Sequence, residues 1–316
     1  MDYKVGYFLR ANEAVYGVVR SALPEDMPLV TLTGKSPQEE IDSIRDLDFL
    51  ISVKATEEMI RAAQKLRLIQ LPGVGYDQVN LEAAAAKGIP VAVSAVGSSD
   101  AVAEHAMLLM LAVSRRLVEM AGSLRDGKWW MWERRTSSYG LLGKTLGIIG
   151  MGRIGLEVAA RAAAFGMSIQ YYDVVRMEGY RFRPIDDLLK TSDIVTLHCP
   201  LNAGTIGLLD RPRIALMKPH AILINTARGG LVDEPALHEA LVAGRLAGAG
   251  LDVFAKEPPD AADPLLHMDQ VIATPHVSTG TLDSLETKAA FYAENIRRVL
   301  AGEQPQGLLD LITVAP

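Results

Sequence analysis

The sequence predicts an α/β protein with two doubly wound parallel-sheet domains, and three observations support this prediction. Short apolar runs alternate with helical patterns along the whole chain, which is typical of parallel sheets covered by helices. The 316 residues exceed the usual size of one hydrophobic core. One long helical pattern at 100–125 separates two series of alternating elements, so we expect a connector between domains there.

The first series of elements makes one complete small domain. Its apolar runs predict strands at 4–9, 29–31, 49–52, 68–70 and 91–93. The periodicity between them predicts helices at 14–22, 37–44, 57–64 and 81–87. Five strands with intervening helices are sufficient for a doubly wound sheet.

The second series begins after the connector helix, for which Ser99 and Asp100 are capping candidates. It predicts strands at 146–149, 168–172, 194–197, 221–225, 248–251 and 271–273. A last helix at 282–301 starts after that sheet is complete. We therefore expect this helix to fold back onto the first domain.

Composition narrows the class of ligand. The net charge of -6 and the pI near 5.6 argue against nucleic acid or an anionic membrane as the main partner, which leaves a small molecule. The N-terminus lacks a secretory pattern and no apolar run reaches the roughly 20 residues of a membrane span, so we expect a cytoplasmic protein. Cys199 is the single cysteine, and with only His198 beside it we predict no disulfide and no metal site.

A glycine motif predicts a dinucleotide site. Gly150, Gly152 and Gly155 form a G-x-G-x-x-G pattern between an apolar strand and a helix. Gly150 permits the tight turn, Gly152 lets the backbone approach a pyrophosphate, and Gly155 lets helix and strand pack closely. The helix N-terminus offers N–H groups and a positive dipole end to the phosphates. The alternative is a plain strand-to-helix turn.

Asp173 ends the strand that follows the glycine helix. A carboxylate there accepts hydrogen bonds from the ribose hydroxyls and repels a 2′-phosphate, so NAD is favoured over NADP. Arg176 nearby is an indication in the other direction.

Three chemically suited residues each follow a later strand, where ligands bind in open α/β sheets. Taken singly, Arg228 could be a solvated charge, Glu257 a loop end and His276 a capping group. Taken together they suit hydride transfer to a 2-keto acid. Arg228 supplies a planar fork for carboxylate and carbonyl oxygens, and His276 supplies a proton near neutral pH. Glu257 would orient the imidazole and favour its protonated form.

These residues stand in a series of motifs that resembles the D-isomer-specific 2-hydroxyacid dehydrogenase family. The motifs, in order, are "LPGVGYDQVN", "AVAEHAMLLML", "LLGKTLGIIGMGRIG", "LHCPLNAGT", "INTARGGLVDEPAL", "GAGLDVFAKEP" and "ATPHVSTGT". The resemblance implies NAD(H)-dependent interconversion of a 2-keto acid and its D-2-hydroxy acid, with Arg228, Glu257 and His276 as the catalytic residues.

The resemblance also implies an architecture and further site residues. A Rossmann NAD-binding domain, 100–281, would be inserted into a flavodoxin-like substrate domain, 1–99 plus 282–316, and the protein would be a homodimer. Asp252 matches the residue that contacts the nicotinamide amide. The other implied residues also contact the cofactor. Thr226, Ala227 and Pro200 match positions that line it, and Arg153 and Ile154 match positions at its pyrophosphate.

The first glycine turn carries the implied substrate site. Val74 and Gly75 match positions whose N–H groups receive the substrate carboxylate; a plain turn is the alternative. Some phosphoglycerate dehydrogenases carry Arg where this chain has Leu71, and phosphite dehydrogenases carry Lys where it has Val74. We therefore expect a short unphosphorylated 2-keto acid of the glyoxylate/hydroxypyruvate type, with Leu71 among the substrate-binding residues, although Lys54 could still supply charge.

Two alternatives remain open in function. A phosphoglycerate dehydrogenase is the alternative within the enzyme class, and an NAD(H)-sensing scaffold, like the family's corepressors, is the alternative outside it. The aromatic stretch 129–132 either approaches a partner subunit's active site or, as we favour, packs at a dimer interface.

Overall fold

The computed structural model describes residues 3–32 and 36–310. The chain divides into two compact units. Unit 1 comprises Met1–Ser98 and Gly280–Pro316, and unit 2 comprises Ser99–Thr279. Each unit contains one sheet whose strand pairs are all parallel. The predicted fold class, two parallel-sheet α/β domains, is confirmed.

Unit 1 begins with five strands that alternate with four helices. They are β1 (Val5–Tyr7), α1 (Glu13–Ala22), β2 (Leu29–Thr31), α2 (Pro37–Ile44), β3 (Phe49–Ile51), α3 (Glu57–Ala62), β4 (Leu68–Gln70), α4 (Leu81–Ala86) and β5 (Val91–Ala92). The strand order β2-β1-β3-β4-β5 is that of flavodoxin-like sheets. The carboxyl ends of these strands therefore share one edge.

Local sequence explains where the helices of unit 1 begin. The side chains of Asn12, Ser36, Thr56 and Asn80 each accept a hydrogen bond from a backbone N–H in the first turn of the following helix. Such caps satisfy donors that the helix itself leaves unpaired. The strands β1, β3 and β4 are buried throughout, as expected when helices cover both faces.

Unit 2 opens with two helices instead of the single helix predicted at 100–125. These are α5 (Ser99–Ser114) and α6 (Leu117–Arg125). The chain breaks at Arg116, whose φ of +50° lies in the left-handed region. Arg116 Nε donates to the carbonyl of Ser137 and its Nη1 to Glu119, and these contacts favour a conformation that is costly for a non-glycine residue. The prediction of one long helix was wrong because no glycine or proline marks the break.

The sheet of unit 2 has seven strands. The elements are β6 (Thr145–Ile149), α7 (Arg153–Ala164), β7 (Ser168–Tyr172), β8 (Arg181–Phe182), α8 (Ile185–Thr191), β9 (Ile194–Leu197), α9 (Arg211–Leu216), β10 (Ala221–Asn225), α10 (Glu234–Val242), β11 (Leu246–Leu251) and β12 (Val271–Ala273). Their order, β12-β11-β10-β9-β6-β7-β8, contains the six-strand order of dinucleotide-binding Rossmann sheets with β12 added at one edge. β8 was not predicted, because two residues are too short for a pattern.

The last helix, α11 (Leu282–Leu300), belongs to unit 1, as the sequence predicts. It packs against α1 and the sheet, where Tyr292 and Ile296 join the core formed with Tyr7. Asn295 Nδ2 donates to Gln70 Oε1 at 2.6 Å. Since Gln70 ends β4, this bond fixes α11 to the carboxyl edge of the five-stranded sheet.

The apolar composition of α5 is explained by its burial. α5 packs against α7, β10 and β11 within unit 2, and most of its side chains are buried. Among the helices that the structure describes, none is long and apolar enough to cross a membrane.

Candidate active site

The turn between β6 and α7 requires two of its three glycines and leaves space at the third. Gly150 has φ +96°, and a Cβ there would lie 2.5 Å from the carbonyl carbon of His198. A Cβ on Gly155 would lie 2.2 Å from the carbonyl oxygen of Gly150. At Gly152, which precedes the first residue of α7, a Cβ would meet nothing within 4 Å. The turn is thus tightly packed on the protein side and open at the helix N-terminus.

Asp173 lies beside this turn at the end of β7. Its Oδ2 accepts a hydrogen bond from the N–H of Met151 at 2.6 Å, and its Oδ1 accepts one from Val175 at 3.0 Å. The carboxylate is therefore held next to the glycines. The Arg176 guanidinium, the cation that argued for NADP, stacks on the ring of Phe182, 3.2 Å from its centroid.

The end of β9 also contacts the turn, where the backbone of His198 and Cys199 lies against Gly150. Burial lowers the pKa of His198 to about 3, and its Nε2 pairs with Thr196 Oγ1 at 2.9 Å. Burial also raises the pKa of Cys199 to about 11, so the thiol is protonated at neutral pH. Pro200 follows, exposed. Within the described part of the chain, no group of three or more His, Cys, Asp or Glu residues could hold a metal ion.

The loop after β10 presents Arg228 on a tightly packed backbone. Asn225 Oδ1 accepts from the N–H of Ala227, and its Nδ2 donates to the carbonyl of Arg228. A Cβ on Gly229 would lie 1.8 Å from the carbonyl carbon of Phe254. Any other residue at Gly229 would therefore separate this loop from the loop that follows β11. Thr226 has a buried Oγ1 without a hydrogen-bond partner among the described residues.

Asp252, at the end of β11, is fully buried and holds the loop that contains His276. Its carboxylate accepts hydrogen bonds from Thr274 Oγ1 at 2.6 Å and from the N–H groups of Val277 and Ser278, both at 2.9 Å. Burial acts to raise its pKa, but the hydrogen bonds outweigh burial and lower the pKa below the ordinary value. Asp252 is therefore a buried carboxylate, satisfied by its neighbours.

His276 pairs with Glu257 in the way the sequence predicts. Nδ1 of His276 lies 2.8 Å from Glu257 Oε2, while Oε1 accepts from the N–H of Phe254 at 3.1 Å. His276 has φ +52°, a costly conformation for a non-glycine residue that is often found at functional sites. The loop is held there by bonds from the His276 N–H to the carbonyls of Asp252 and Thr274.

The charges around the imidazole favour a protonated ring. The hydrogen bond to Glu257 raises the pKa of His276, while burial and the charge of Arg228 oppose that increase. Burial acts to raise the pKa of Glu257, but the bond from His276 keeps it below its usual value. Arg228 Nη1 donates to the carbonyl of Ala227 at 2.8 Å. Since β10, β11 and β12 are parallel neighbours, the residues that follow them meet at one edge of the sheet.

The first glycine turn, in unit 1, is exposed at its tip and buried at its base. Val74 is 51% exposed, and a Cβ on Gly73 would meet nothing within 4 Å; Gly75 is partly exposed. Leu71, in contrast, is 1% exposed and belongs to the core. Its side chain has no surface for a ligand, and we remove Leu71 from the predicted substrate-binding residues.

Two residues that matter for this geometry were not singled out from the sequence. Gly229 is one, and His105 on α5 is the other. His105 Nε2 lies 3.0 Å from Thr274 Oγ1 and 3.5 Å from Asp252. A histidine within a helix that is otherwise mostly buried and apolar was the available signal for His105. Its partner could not be inferred, because Asp252 is distant in the sequence.

The residues of unit 2 fit a dinucleotide. The open space at Gly152 and the N-terminus of α7 suit a pyrophosphate, with Arg153 and Ile154 in the first turn. Asp173 offers carboxylate oxygens for ribose hydroxyls. The unpartnered hydroxyl of Thr226 is a buried polar group that a ligand can satisfy.

Comparisons with known proteins agree with this geometry. Residues 107–278 match the family model described as D-isomer specific 2-hydroxyacid dehydrogenase, NAD binding domain. A glyoxylate reductase of Korarchaeum cryptofilum is 39% identical over 87% of this chain and 87% of its own length. A D-3-phosphoglycerate dehydrogenase of Methanocaldococcus jannaschii is 42% identical over 88% of this chain, but the match spans only 55% of that protein.

A solved structure supports the same assignment. A crystal structure of a protein from Thermus thermophilus superposes with a TM-score of 0.87 at 36% identity, covering 97% of this chain and 99% of that one. The match to the family model includes the glycine turn and the loops of Arg228, Glu257 and His276. This chain belongs to the D-isomer-specific 2-hydroxyacid dehydrogenase family, with NAD as the cofactor of its nucleotide-binding domain.

Proposed function

We propose that the protein is an oxidoreductase that interconverts a short unphosphorylated 2-keto acid and its D-2-hydroxy acid. The observation that carries this proposal is the pairing of His276 with Glu257, at the edge of the sheet where Arg228 also lies. The pair holds a proton on an imidazole whose pKa is raised, which is what reduction of a carbonyl requires of its general acid.

The reaction assigns one role to each residue. NADH, when bound, supplies the hydride that reduces the keto carbon. His276 donates its proton to the carbonyl oxygen, so that one hydride and one proton convert the ketone to an alcohol. Because Nδ1 is bonded to Glu257, the proton comes from Nε2. Oxidation of the hydroxy acid returns the proton to Nε2.

Arg228 is the substrate cation in this proposal. Its guanidinium forms paired hydrogen bonds with the carboxylate and the keto oxygen, and its charge stabilises the negative charge that develops on that oxygen. In unit 1 the N–H groups of Val74 and Gly75 receive the substrate carboxylate. We thus propose residues 1–99 with 282–316 as the substrate domain, and 100–281 as the nucleotide domain.

The cofactor contacts follow from the same proposal. Gly150, Gly152 and Gly155 allow the pyrophosphate to approach, and Asp173 accepts the ribose hydroxyls, which favours NADH over NADPH. Pro200, Ala227 and Thr226 line the cofactor, while Asp252 lies at the nicotinamide amide.

Glyoxylate or hydroxypyruvate is the first substrate to test. Val74, at the exposed tip of the turn, is not a cation, and Lys54 Nζ is already paired with Glu40 at 3.4 Å. The glyoxylate reductase of Korarchaeum cryptofilum is matched over most of its length. A phosphoglycerate dehydrogenase activity is the second candidate, favoured by the 42% identity to the Methanocaldococcus jannaschii protein.

We also propose a homodimer that buries the exposed aromatic segment. Trp129 and Trp132 are 76% and 60% exposed, a large apolar surface for a monomer. Light scattering should give twice the chain mass. Changing both tryptophans to serine should reduce that mass, and a monomeric parent protein would contradict the proposal.

A spectrophotometric panel tests the proposed reaction. NADH oxidation is followed with glyoxylate, hydroxypyruvate, pyruvate, phenylpyruvate and 3-phosphohydroxypyruvate as separate substrates. We expect the highest kcat/KM with one of the unphosphorylated acids. Highest activity with 3-phosphohydroxypyruvate would establish the second candidate instead. No turnover of any of them, with NADH still bound, would favour an NAD(H)-sensing scaffold.

A further inference from the structure

Unit 1 contains a buried cation that the proposed reaction does not use. Lys288, on α11, is only 7% exposed. Within residues 3–32 and 36–310 its ammonium has no hydrogen-bond or ion-pair partner, and burial alone lowers its pKa, to about 8. At neutral pH the group is still mostly protonated. Such a little-exposed cation without a protein partner is a candidate for contact with a ligand.

The contacts of α11 place Lys288 at the carboxyl edge of the five-stranded sheet. Asn295, seven residues further along the helix, bonds Gln70 at the end of β4. Tyr292, one turn from Lys288, packs in the core with Tyr7, the last residue of β1. Positions separated by four and seven residues share one helix face. Lys288 therefore lies on the same face of α11 as Tyr292 and Asn295, the face that is directed to the sheet.

Two buried hydroxyls without a hydrogen-bond partner among the described residues lie on α11 and on the segment that leads to Gly97. Ser284, four residues before Lys288, lies on the same face, and its buried Oγ has no hydrogen-bond partner among the described residues. The backbone of Ser284 packs against Gly97, where a Cβ would lie 3.1 Å from the Ser284 carbonyl oxygen. Ser94, three residues before Gly97, has a second unpartnered buried Oγ.

The same segment is joined to the first glycine turn. The N–H of Ser94 donates to the carbonyl of Gly73 at 3.0 Å. Chain contacts thus connect Lys288, through Ser284 and Gly97, to the turn that bears Val74. Ligands of open α/β sheets bind at this edge, so the turn and this part of α11 both border the region where a ligand of unit 1 is expected.

We propose that Lys288, with the hydroxyl of Ser284, binds a carboxylate at the distal end of the substrate, so that Lys288 selects 2-keto dicarboxylic acids over 2-keto acids with an apolar end. This inference rests on the proposed function and refines its substrate class. An ammonium with a hydroxyl donor on the same helix face matches a carboxylate, which is charged and accepts several hydrogen bonds.

Length-matched substrate pairs test the role of Lys288. We measure kcat and KM for 2-ketoglutarate against 2-ketovalerate, and for oxaloacetate against 2-ketobutyrate. We compare the parent protein with Lys288→Met, which keeps the stem, and Lys288→Arg, which keeps the charge. The control is Lys65→Met, which removes a lysine that is 58% exposed and paired with Asp46.

The parent protein should prefer each dicarboxylate by about tenfold or more in kcat/KM, the effect of one charge-assisted contact. Lys288→Met should abolish the preference, mainly through KM, while retaining turnover of the monocarboxylates. Lys288→Arg should keep part of it, and Lys65→Met should keep all of it. An unchanged ratio in Lys288→Met would overturn the inference. So would a Lys288-dependent preference for 3-phosphohydroxypyruvate over every carboxylate, which would assign the cation to phosphate.

A binding measurement separates this inference from the proposed reaction. Calorimetry with glutarate and with pentanoate, in the presence of NAD, needs no turnover. Tighter binding of glutarate that is lost in Lys288→Met supports the subsite even if no keto acid is reduced. Equal binding of glutarate by the parent protein and Lys288→Met would refute the subsite while leaving the proposed reaction intact.

Discussion

Replacing Asp252 with Asn tests whether this carboxylate holds the loop that contains His276. The carboxylate accepts from Thr274, Val277 and Ser278, and both oxygens are used. In an amide, one oxygen becomes an NH₂ group that cannot accept. At least one buried N–H or O–H then loses its acceptor, whichever way the amide is oriented.

The expected cost follows from those bonds. A hydrogen bond to a charged group is worth about 1.5–3 kcal/mol, and an orphaned buried donor adds about 1–3 kcal/mol. We expect a loss of about 2.5–6 kcal/mol in the free energy of unfolding of unit 2. For a unit of this size, the loss corresponds to a fall in Tm of about 5–24 °C. Because His276 loses its support, kcat should also fall, by about 100-fold for a displacement near 1 Å.

Calorimetry and kcat, measured on the same preparations, provide the assay. The control is Asp269→Asn, an exposed carboxylate of the same unit. The folded-state pKa of Asp252 is lowered, so its contribution is full above the unfolded-state pKa and is lost as pH falls through the folded-state value. The stability difference between parent and variant should therefore narrow in acid. An Asp252→Asn protein with the parent Tm and kcat would refute the argument.

Four further substitutions test the proposed roles. Glu257→Gln replaces the carboxylate that raises the pKa of His276 with a neutral amide. Since reduction needs the protonated ring, the loss of kcat/KM with rising pH should begin at lower pH, and an unmoved profile would contradict the pairing. His276→Ala should lower kcat about 100-fold or more with NADH affinity by fluorescence preserved, and a variant that keeps most of its rate would exclude the proton-donor role. Arg228→Gln keeps one hydrogen-bond donor but loses the charge and the second hydrogen bond, so kcat/KM for the keto acid should fall by about 10–100-fold, with little change in the Kd of NADH. Equal losses in both would assign Arg228 elsewhere. Asp173→Ala should reduce the preference for NADH over NADPH by about tenfold, or roughly 1.4 kcal/mol, and an unchanged ratio would place that preference in other residues.

The sequence predicted the elements well because local signals determine them. β2, β4 and α2 begin and end at the predicted residues, since apolar runs and capping side chains mark their ends. The break at Arg116 escaped prediction because a left-handed arginine has no composition signature. Its conformation is favoured by contacts with Ser137 and Glu119, which only the folded chain brings together.

The candidate active site also contains some features that the sequence could predict and others that it could not. The glycine turn and the hydrogen bond between Glu257 and His276 could be anticipated, because parallel strands bring their carboxyl ends to one edge. The buried network of Asp252, Thr274 and His105 could not, because it joins a helix to two distant loops. Gly229 was seen in the motif, but its need for close packing on Phe254 depends on backbone positions.

A residue at a motif position does not always line the binding surface, and Leu71 shows this. The case against a phosphorylated substrate began with Leu71, at a position where related enzymes place a cation. Leu71 is buried in the core. An apolar residue at that position is therefore explained by core packing and gives no information about the charge of the substrate. The buried cation at this edge of unit 1 is instead Lys288, carried by the last helix and brought there by the bond between Asn295 and Gln70. A negatively charged distal group is therefore compatible with this unit, and the carboxylate and phosphate probes decide which one it binds.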